Sequence, residues 1–348
     1  MIDATRRLVD EAIGTLCTAA SVLVDKDGER TGYVSGTLCP DPDGGADAPC
    51  TPASLFDLAS LTKLATTALA LAFVRDRLLT LDTPLRELVP DFRGGAKDGV
   101  TLAQVLTHTA GLLWWLPLYE ESRSIEEAAW RAAQEPLARD PGTFVYSDLG
   151  YIMLTQGLAN AGGAPFTDLV RERVLEPAGA ETARFLPDDR EPCVATERYD
   201  APDAYRRRRL RGEVHDENAH AMGGISGHAG LFGTAADVLA LARVFRDGAV
   251  VGNDLAALAR REHARGENAR RGLGLALRAP DGPMTGRYMS DRAFGHTGFT
   301  GTSVWSDPAS ATTIVLLTNR VYFGRANDDA MYRFRIAVHE TLTAPDEG

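Results

Sequence analysis

Strand-like patterns lie at both ends of this chain and helical patterns fill its middle, so any sheet must be assembled from the two termini. Residues 20–24 and 31–36, joined by Asp25-Lys26-Asp27-Gly28, read as a hairpin. Near the other end, residues 273–277, 294–297, 302–305 and 312–318 read as short strands. Helical spacing marks residues 4–17, 61–79, 124–134, 149–161, 165–174, 235–247 and 328–342. Residues 39–53, rich in Pro, Gly and Asp, must be loop, and 185–230 is irregular and charged. The expectation is an α/β lobe over about 1–75 and 225–348 with a mostly helical lobe over about 76–224 inserted in it. No internal repeat divides the chain, so it is one unit whose default site is the cleft between the lobes.

Within that frame, the phrase Phe56-Asp57-Leu58-Ala59-Ser60 opens the apolar run 61–79, and Lys63 follows Ser60 by three. Of 37 basic residues only Lys26, Lys63 and Lys97 are lysine. Arginine stays protonated, whereas a desolvated lysine can lose its proton and act as a base. On one helix the pair shares a face, one turn apart, which brings the amine to the hydroxyl. A serine at a helix start also lies among backbone N–H groups that lack partners. The competing reading is a capping serine followed by a solvated lysine.

Two further segments carry candidate chemistry. Tyr146 lies between a Pro141-Gly142 turn and a new helix, where its phenol can project into the cleft. The glycine-dense stretch Gly295-His296-Thr297-Gly298-Phe299-Thr300-Gly301 allows close approach of backbone to a ligand, and its edge can offer an N–H opposite that of Ser60.

Taken in order, Ser60-Leu61-Thr62-Lys63, Tyr146-Ser147-Asp148 and His296-Thr297-Gly298 resemble the three motifs of the serine beta-lactamase and penicillin-binding superfamily. The likeness is to the class C-like branch, with its family VIII esterases, D-amino-acid peptidases and cell-wall amidases, and covers nearly the whole chain. Leu106 to Leu112 and Gly227 to Phe232 are similar to recurrent segments of that branch. The resemblance implies an α+β fold: an antiparallel sheet from the N- and C-terminal segments, flanked by helices, with the helical lobe inserted. It implies an acyl-enzyme on Ser60, Lys63 and Tyr146 sharing acid and base work, and an oxyanion hole from the Ser60 and Phe299 amides. Asp148, His296, Thr297, Gly298, His228 and Asp216 would contact substrate.

Two positions depart from classical beta-lactamases of the branch. Asp148 stands where they carry asparagine, and a carboxylate cannot donate an amide hydrogen bond, so Asp148 would pair with Lys63 or position a substrate amine. His296 stands where many carry lysine, removing a fixed positive charge, so efficient beta-lactam hydrolysis is not expected. Peptidoglycan-derived amides or D-amino-acid peptides are the favoured substrates. The alternatives are a carboxylesterase and a non-turnover sensor module.

A formal charge of −11 argues against nucleic acid or anionic membrane as partner and leaves a small molecule or short peptide. No run approaches the roughly 18 apolar residues of a membrane span, and the first residues lack a secretory pattern, which suggests a cytoplasmic protein if Met1 is the natural start. Cys17, Cys39, Cys50 and Cys193 have no metal or redox spacing and read as free thiols. His215, Asp216, Glu217, Asn218, His220 and His228 offer metal-ligand types without a fixed geometry, so no metal or other cofactor is expected. His108 reads as an anchor of its own loop, the run Arg206 to Arg209 as a solvated loop or a carboxylate-binding patch, and Trp114 and Trp115 as cleft wall or core.

Overall fold

The computed structural model describes residues 2–41, 45–188, 191–200, 205–281 and 284–345. Parts of the expected loop 39–53 and of the irregular stretch 185–230 therefore lie outside the described residues. Eleven strands are seen among the described residues: β1 (Ala19–Lys26), β2 (Glu29–Gly36), β3 (Phe56–Asp57), β4 (Arg184–Phe185), β5 (Leu231–Gly233), β6 (Ala264–Gly266), β7 (Ala269–Arg271), β8 (Ala276–Leu277), β9 (Phe294–Thr297), β10 (Ser303–Asp307) and β11 (Thr312–Thr318). Eight form one antiparallel sheet in the order β2-β1-β11-β10-β9-β8-β7-β6. The two ends of the chain meet in its interior, where β1 pairs with β11 from Ala20 opposite Thr318 to Lys26 opposite Thr312.

Both faces of the sheet are covered, which is why β11 is buried without a gap and apolar from Ile314 to Leu317. Alternate residues serve opposite layers: Ile314 and Leu316 pack with the helices Ile2–Ala12 and Asp328–Thr343, while Val315 and Leu317 pack with the main core. That main core includes the helices Thr62–Arg75, Leu149–Gly162 and Ala235–Asp247. The Thr62–Arg75 helix is mostly apolar and is buried from Thr62 to Phe73, with Lys63 among the residues enclosed.

Several boundaries differ from the sequence reading. The first helix ends at Ala12 rather than continuing to 17, because Gly14 turns the chain at φ 82°. The run 61–79 stops being helical at Arg75, and Arg77 takes φ 62°, so Leu78 and Leu79 leave the helix axis. Of 273–277 only β8 is strand: Gly274 at φ 65° turns tightly against Thr67, where a Cβ would lie 2.0 Å from the hydroxyl. The hairpin β6–β7 was not anticipated, since its Ala-Arg-Gly-Glu-Asn-Ala-Arg-Arg sequence carries no β-branched residue.

A second, three-stranded sheet, β3-β5-β4, ties the segment before Ser60 to the chain after residue 230. Leu58 N–H donates to the Leu231 carbonyl at 3.0 Å, extending this attachment to the edge of the cleft.

Candidate active site

Ser60 lies in a single 3-10 turn, Ala59–Leu61, that runs directly into the Thr62–Arg75 helix. It thus precedes the α-helix by one turn instead of opening it. Ala59 is held at φ 46°, a conformation costly for a residue with a Cβ, and the surroundings hold it there. The buried Asp57 carboxylate accepts from the amides of Ala59 (2.8 Å) and His215 (2.6 Å). Thr300 and Thr302 donate their hydroxyls to the carbonyls of Asp57 (2.7 Å) and Leu58 (3.1 Å).

The i, i+3 spacing places Lys63 under Ser60. Its Nζ donates to Ser60 Oγ at 2.8 Å and to the His228 carbonyl at 3.2 Å, and forms an ion pair with Asp148 Oδ1 at 2.8 Å. Lys63 is fully buried. Burial alone would release its proton, but Asp148 and the neighbouring Tyr146 outweigh it and hold the ammonium above the ordinary lysine range. Desolvation thus does not neutralise this lysine: the Asp148 carboxylate pairs with it, one of the two roles expected of Asp148, and reverses the sign.

Tyr146 donates its hydroxyl to the same Ser60 Oγ at 3.2 Å. Its loop is fastened by His108, whose carbonyl accepts from Val145 N–H (2.9 Å) and whose Nδ1 accepts from Ser147 N–H (3.1 Å). The His108 ring also packs on the Tyr146 ring, with centroids 4.4 Å apart. Burial and the nearby cations Arg271 and Lys63 push the His108 imidazole well below the ordinary histidine value, so it is a neutral prop for the tyrosine.

Strand β9 brings His296, Thr297 and Gly298 to the opposite side. His296 Nδ1 donates to the Thr297 carbonyl at 2.9 Å, and burial, Lys63 and Arg271 lower its pKa to about 3, leaving it uncharged at neutral pH. Gly298 docks against the serine turn, where a Cβ would sit 2.6 Å from the Leu58 carbonyl oxygen. Its N–H is taken by the Thr302 carbonyl (2.7 Å), and the next amide along is that of Phe299. The Phe299 ring stacks on His215, itself 2.8 Å from Glu197.

These groups line a cleft of about 860 Å³ that also includes Trp114, Trp115, Asp216, His228 and Arg271. Trp114 is 65% exposed, which makes it cleft wall rather than core. Asp216 and His228 are in the wall but bound to each other at 2.9 Å, and His228 Nδ1 is engaged by Ser226 at 2.7 Å. With both nitrogens used and the residue buried, His228 serves the site through its carbonyl on Lys63, not through a ring free for substrate. The pairings of His215 with Glu197 and His220 with Glu213 occupy the other metal-type side chains, and among the described residues no cluster of His, Cys, Asp or Glu is arranged to hold a metal. The four cysteines are buried and unpaired. No described helix is long and apolar enough to cross a membrane.

The arginine run does not reach the cleft as a patch. Arg206 and Arg208 pair with Glu213, and Arg209 pairs with Asp41. Arg271, which sequence reasoning passed over, lies beside Tyr146 with its guanidinium 5.3 Å from the ring centre. Only the three-dimensional return of the β6–β7 hairpin puts it there.

A serine hydroxyl addressed by an amine and a phenol, at the foot of a cleft, defines the class: this is a serine hydrolase. The chain belongs to the beta-lactamase family, whose Beta-lactamase family model matches residues 6–338. A protein of Salmonella agona named "Putative D-alanyl-D-alanine carboxypeptidase" is 30% identical over 308 residues, covering 79% of this chain and 71% of that one. EstCE1, described as a hydrolase with promiscuous acyltransferase activity, superposes with a TM-score of 0.80 at 22% identity, over 97% of this chain and 98% of its own. A class C beta-lactamase does so with a TM-score of 0.79 at 19% identity, over 99% and 97%. At those identities the two structures establish the fold.

Proposed function

We propose that Ser60 is acylated by, and then hydrolyses, an amide or ester of a small molecule or short peptide, with D-amino-acid peptides or peptidoglycan-derived amides favoured. The observation that carries this is the convergence of Lys63 Nζ and Tyr146 OH on one oxygen, Ser60 Oγ, at 2.8 and 3.2 Å. The name of the Salmonella relative supports the D-amino-acid preference.

In the first half-reaction Ser60 Oγ forms a bond to the carbonyl carbon, its proton passes into the Lys63–Tyr146 pair, and the carbonyl oxygen becomes an oxyanion facing the Ser60 and Phe299 amides. The bond to the leaving nitrogen or oxygen then breaks, and the pair returns the proton to that atom. Water attacks the ester by the same route in reverse, giving the acid and restoring the serine hydroxyl. Because Asp148 keeps Lys63 protonated, the resting site holds one proton too many to accept another. The reactive form has lost that proton, so kcat/KM rises with pH through neutrality.

The test is incubation with a fluorophosphonate and with p-nitrophenyl acetate, following intact mass and released product together. Turnover with a transient adduct on Ser60 is expected. A Ser60→Ala variant that still turns over ends the proposal, as does full activity in Lys63→Ala. A lasting adduct without turnover would identify a sensor module instead.

A further inference from the structure

Beside the active-site cleft lies a second cavity of about 220 Å³, and Trp115, Glu217 and Arg325 line both. A run of rings leads from one to the other: Trp114 to Trp115, Trp115 to Tyr119 and Tyr119 to Tyr205, with centroids 5.8, 6.4 and 4.8 Å apart. Buried Asn218 holds the run in place, accepting from the Tyr119 N–H at 2.9 Å and donating to the Leu116 carbonyl at 2.8 Å, which ties this segment to the helix Glu217–Ala221. Tyr199 adds a further ring to the wall, and it and Tyr205 are exposed. None of the hydroxyls of Tyr119, Tyr199 and Tyr205 is hydrogen-bonded among the described residues.

The charges of this wall select an uncharged ligand. Arg325 lies over the Tyr199 ring at 5.5 Å and Arg206 over the Tyr205 ring at 5.8 Å, so a further cation would meet like charge at both rings. An anion would face Glu197 and Glu217 and find both guanidiniums engaged, Arg325 by those two carboxylates and Arg206 by Glu213 and the Val214 carbonyl. A wholly apolar ligand would strip water from these groups and return no hydrogen bond. What fits is a neutral molecule with an apolar face for the rings and hydroxyls at its edge. The polar matches are present: Arg325 uses Nε and Nη2, leaving Nη1 to donate, and Glu217 uses Oε1, leaving Oε2 to accept, which suits two neighbouring hydroxyls. The volume is below the roughly 300–1,000 Å³ of sites for drug-sized ligands and suits about one six-membered ring.

We propose that this cavity binds one neutral sugar ring, with its C–H face on Tyr119 and Tyr205 and two of its hydroxyls on Arg325 and Glu217, and that the molecule cleaved at Ser60 carries that sugar. The wall that Trp115 shares between cavity and cleft is the path by which one molecule occupies both. This rests on the acyl-enzyme reading above and narrows its substrate to a glycosylated amide or ester.

The probes are methyl N-acetyl-β-D-glucosaminide and methyl β-D-glucoside, observed by saturation-transfer NMR on the native chain, with tetramethylammonium, acetate and cyclohexanol as the cationic, anionic and apolar comparisons. At least one glycoside is expected to bind, its ring protons receiving the most saturation. Tyr205→Ala and Tyr119→Ala, each with the circular dichroism spectrum of the native chain, should weaken that binding by about fivefold or more. No transfer to either glycoside at about 50 mM, tighter binding of any comparison compound, or binding unmoved in both variants overturns the proposal. The link to Ser60 is read from N-acetylmuramyl-L-alanyl-D-isoglutamine and N-acetyl-L-alanyl-D-isoglutamine as competitive inhibitors of p-nitrophenyl acetate hydrolysis. The sugar-bearing compound should inhibit at least about tenfold better, and Tyr205→Ala should close most of that gap. Equal or absent inhibition by the two overturns the assignment of the sugar to the Ser60 substrate. Turnover of p-nitrophenyl acetate surviving in Ser60→Ala refutes the acyl-enzyme reading instead, and leaves the NMR result standing.

Discussion

Asp148→Asn isolates the feature that decides the charge of the site. Two unit charges at the 2.8 Å observed between Lys63 Nζ and Asp148 Oδ1 attract by about 6 kcal/mol at an effective dielectric constant of about 20. The loss on mutation cannot exceed the cost of deprotonating the amine instead, about 5 kcal/mol at pH 7 for an ordinary lysine. The Ser60 and His228 contacts of Nζ survive, so a net destabilisation of about 3 kcal/mol is expected. The sign with pH follows from Lys63. In the native protein its folded pKa is raised, so its contribution is complete below the unfolded value and is lost only as pH climbs through the raised folded one. With asparagine, burial governs and the folded pKa drops below the unfolded one, giving a penalty that is full in acid and fades as pH approaches about 10. Urea unfolding at pH 7 and pH 10 should therefore show a gap between native and variant that narrows with pH. The same change should move the rising limb of the pH profile for p-nitrophenyl acetate hydrolysis to lower pH, because the amine gives up its proton sooner. An equal gap at both pH values, with an unmoved profile, would refute the assignment of Asp148 as the group that keeps Lys63 charged.

Three other perturbations test separate parts of the site. Tyr146→Phe keeps the ring on His108 and removes the hydroxyl from Ser60, so single-turnover acylation should slow by about 10²–10⁴-fold with the fold intact, and a loss under tenfold would exclude Tyr146 from proton transfer. Gly298→Ala places a Cβ 2.1 Å from Thr302 Oγ1 and 2.6 Å from the Leu58 oxygen, which should push β9 off the serine turn, cost about 1–3 kcal/mol in urea unfolding and lower kcat/KM at least about tenfold. Gly99→Ala, into open space, is the control that should change neither. His339 is buried with its pKa lowered to about 4, so its contribution is present above the unfolded value and lost as pH falls through about 4, a change of about 3 kcal/mol. The drop in urea midpoint from pH 7 to pH 4 should be smaller in His339→Asn, and an equal drop would show that acid sensitivity arises elsewhere.

The parts of the molecule that sequence reveals are those where one local pattern has one physical solution. Continuous burial of β11 and the mostly apolar Thr62–Arg75 helix leave little choice of layer, and the i, i+3 spacing brings Ser60 and Lys63 together even though Ser60 lies in the 3-10 turn before the helix. Tyr146 and His296 were legible as motifs, not as geometry. What escaped depends on neighbours far apart in sequence. The pairing of Asp148 with Lys63 across 85 positions is one of the two readings the motif allows, but that it outweighs burial depends on a geometry no local desolvation argument contains. Arg271 escaped because β6 and β7 carry arginine and alanine where a strand reading looks for branched residues.

Charge arithmetic around the serine links these observations. Of the four ionisable groups Lys63, Asp148, His296 and Arg271, the first two cancel, the third is neutral, and the fourth retains its charge without an acceptor. Those four groups thus sum to one positive charge, and Arg335 on the same cleft wall also lacks a carboxylate, inside a protein whose formal charge is −11. Lys63 and Asp148 act as one ionised pair, so Lys63→Met and Asp148→Asn should be non-additive in urea unfolding at pH 7, and additive losses would show that the two charges act independently.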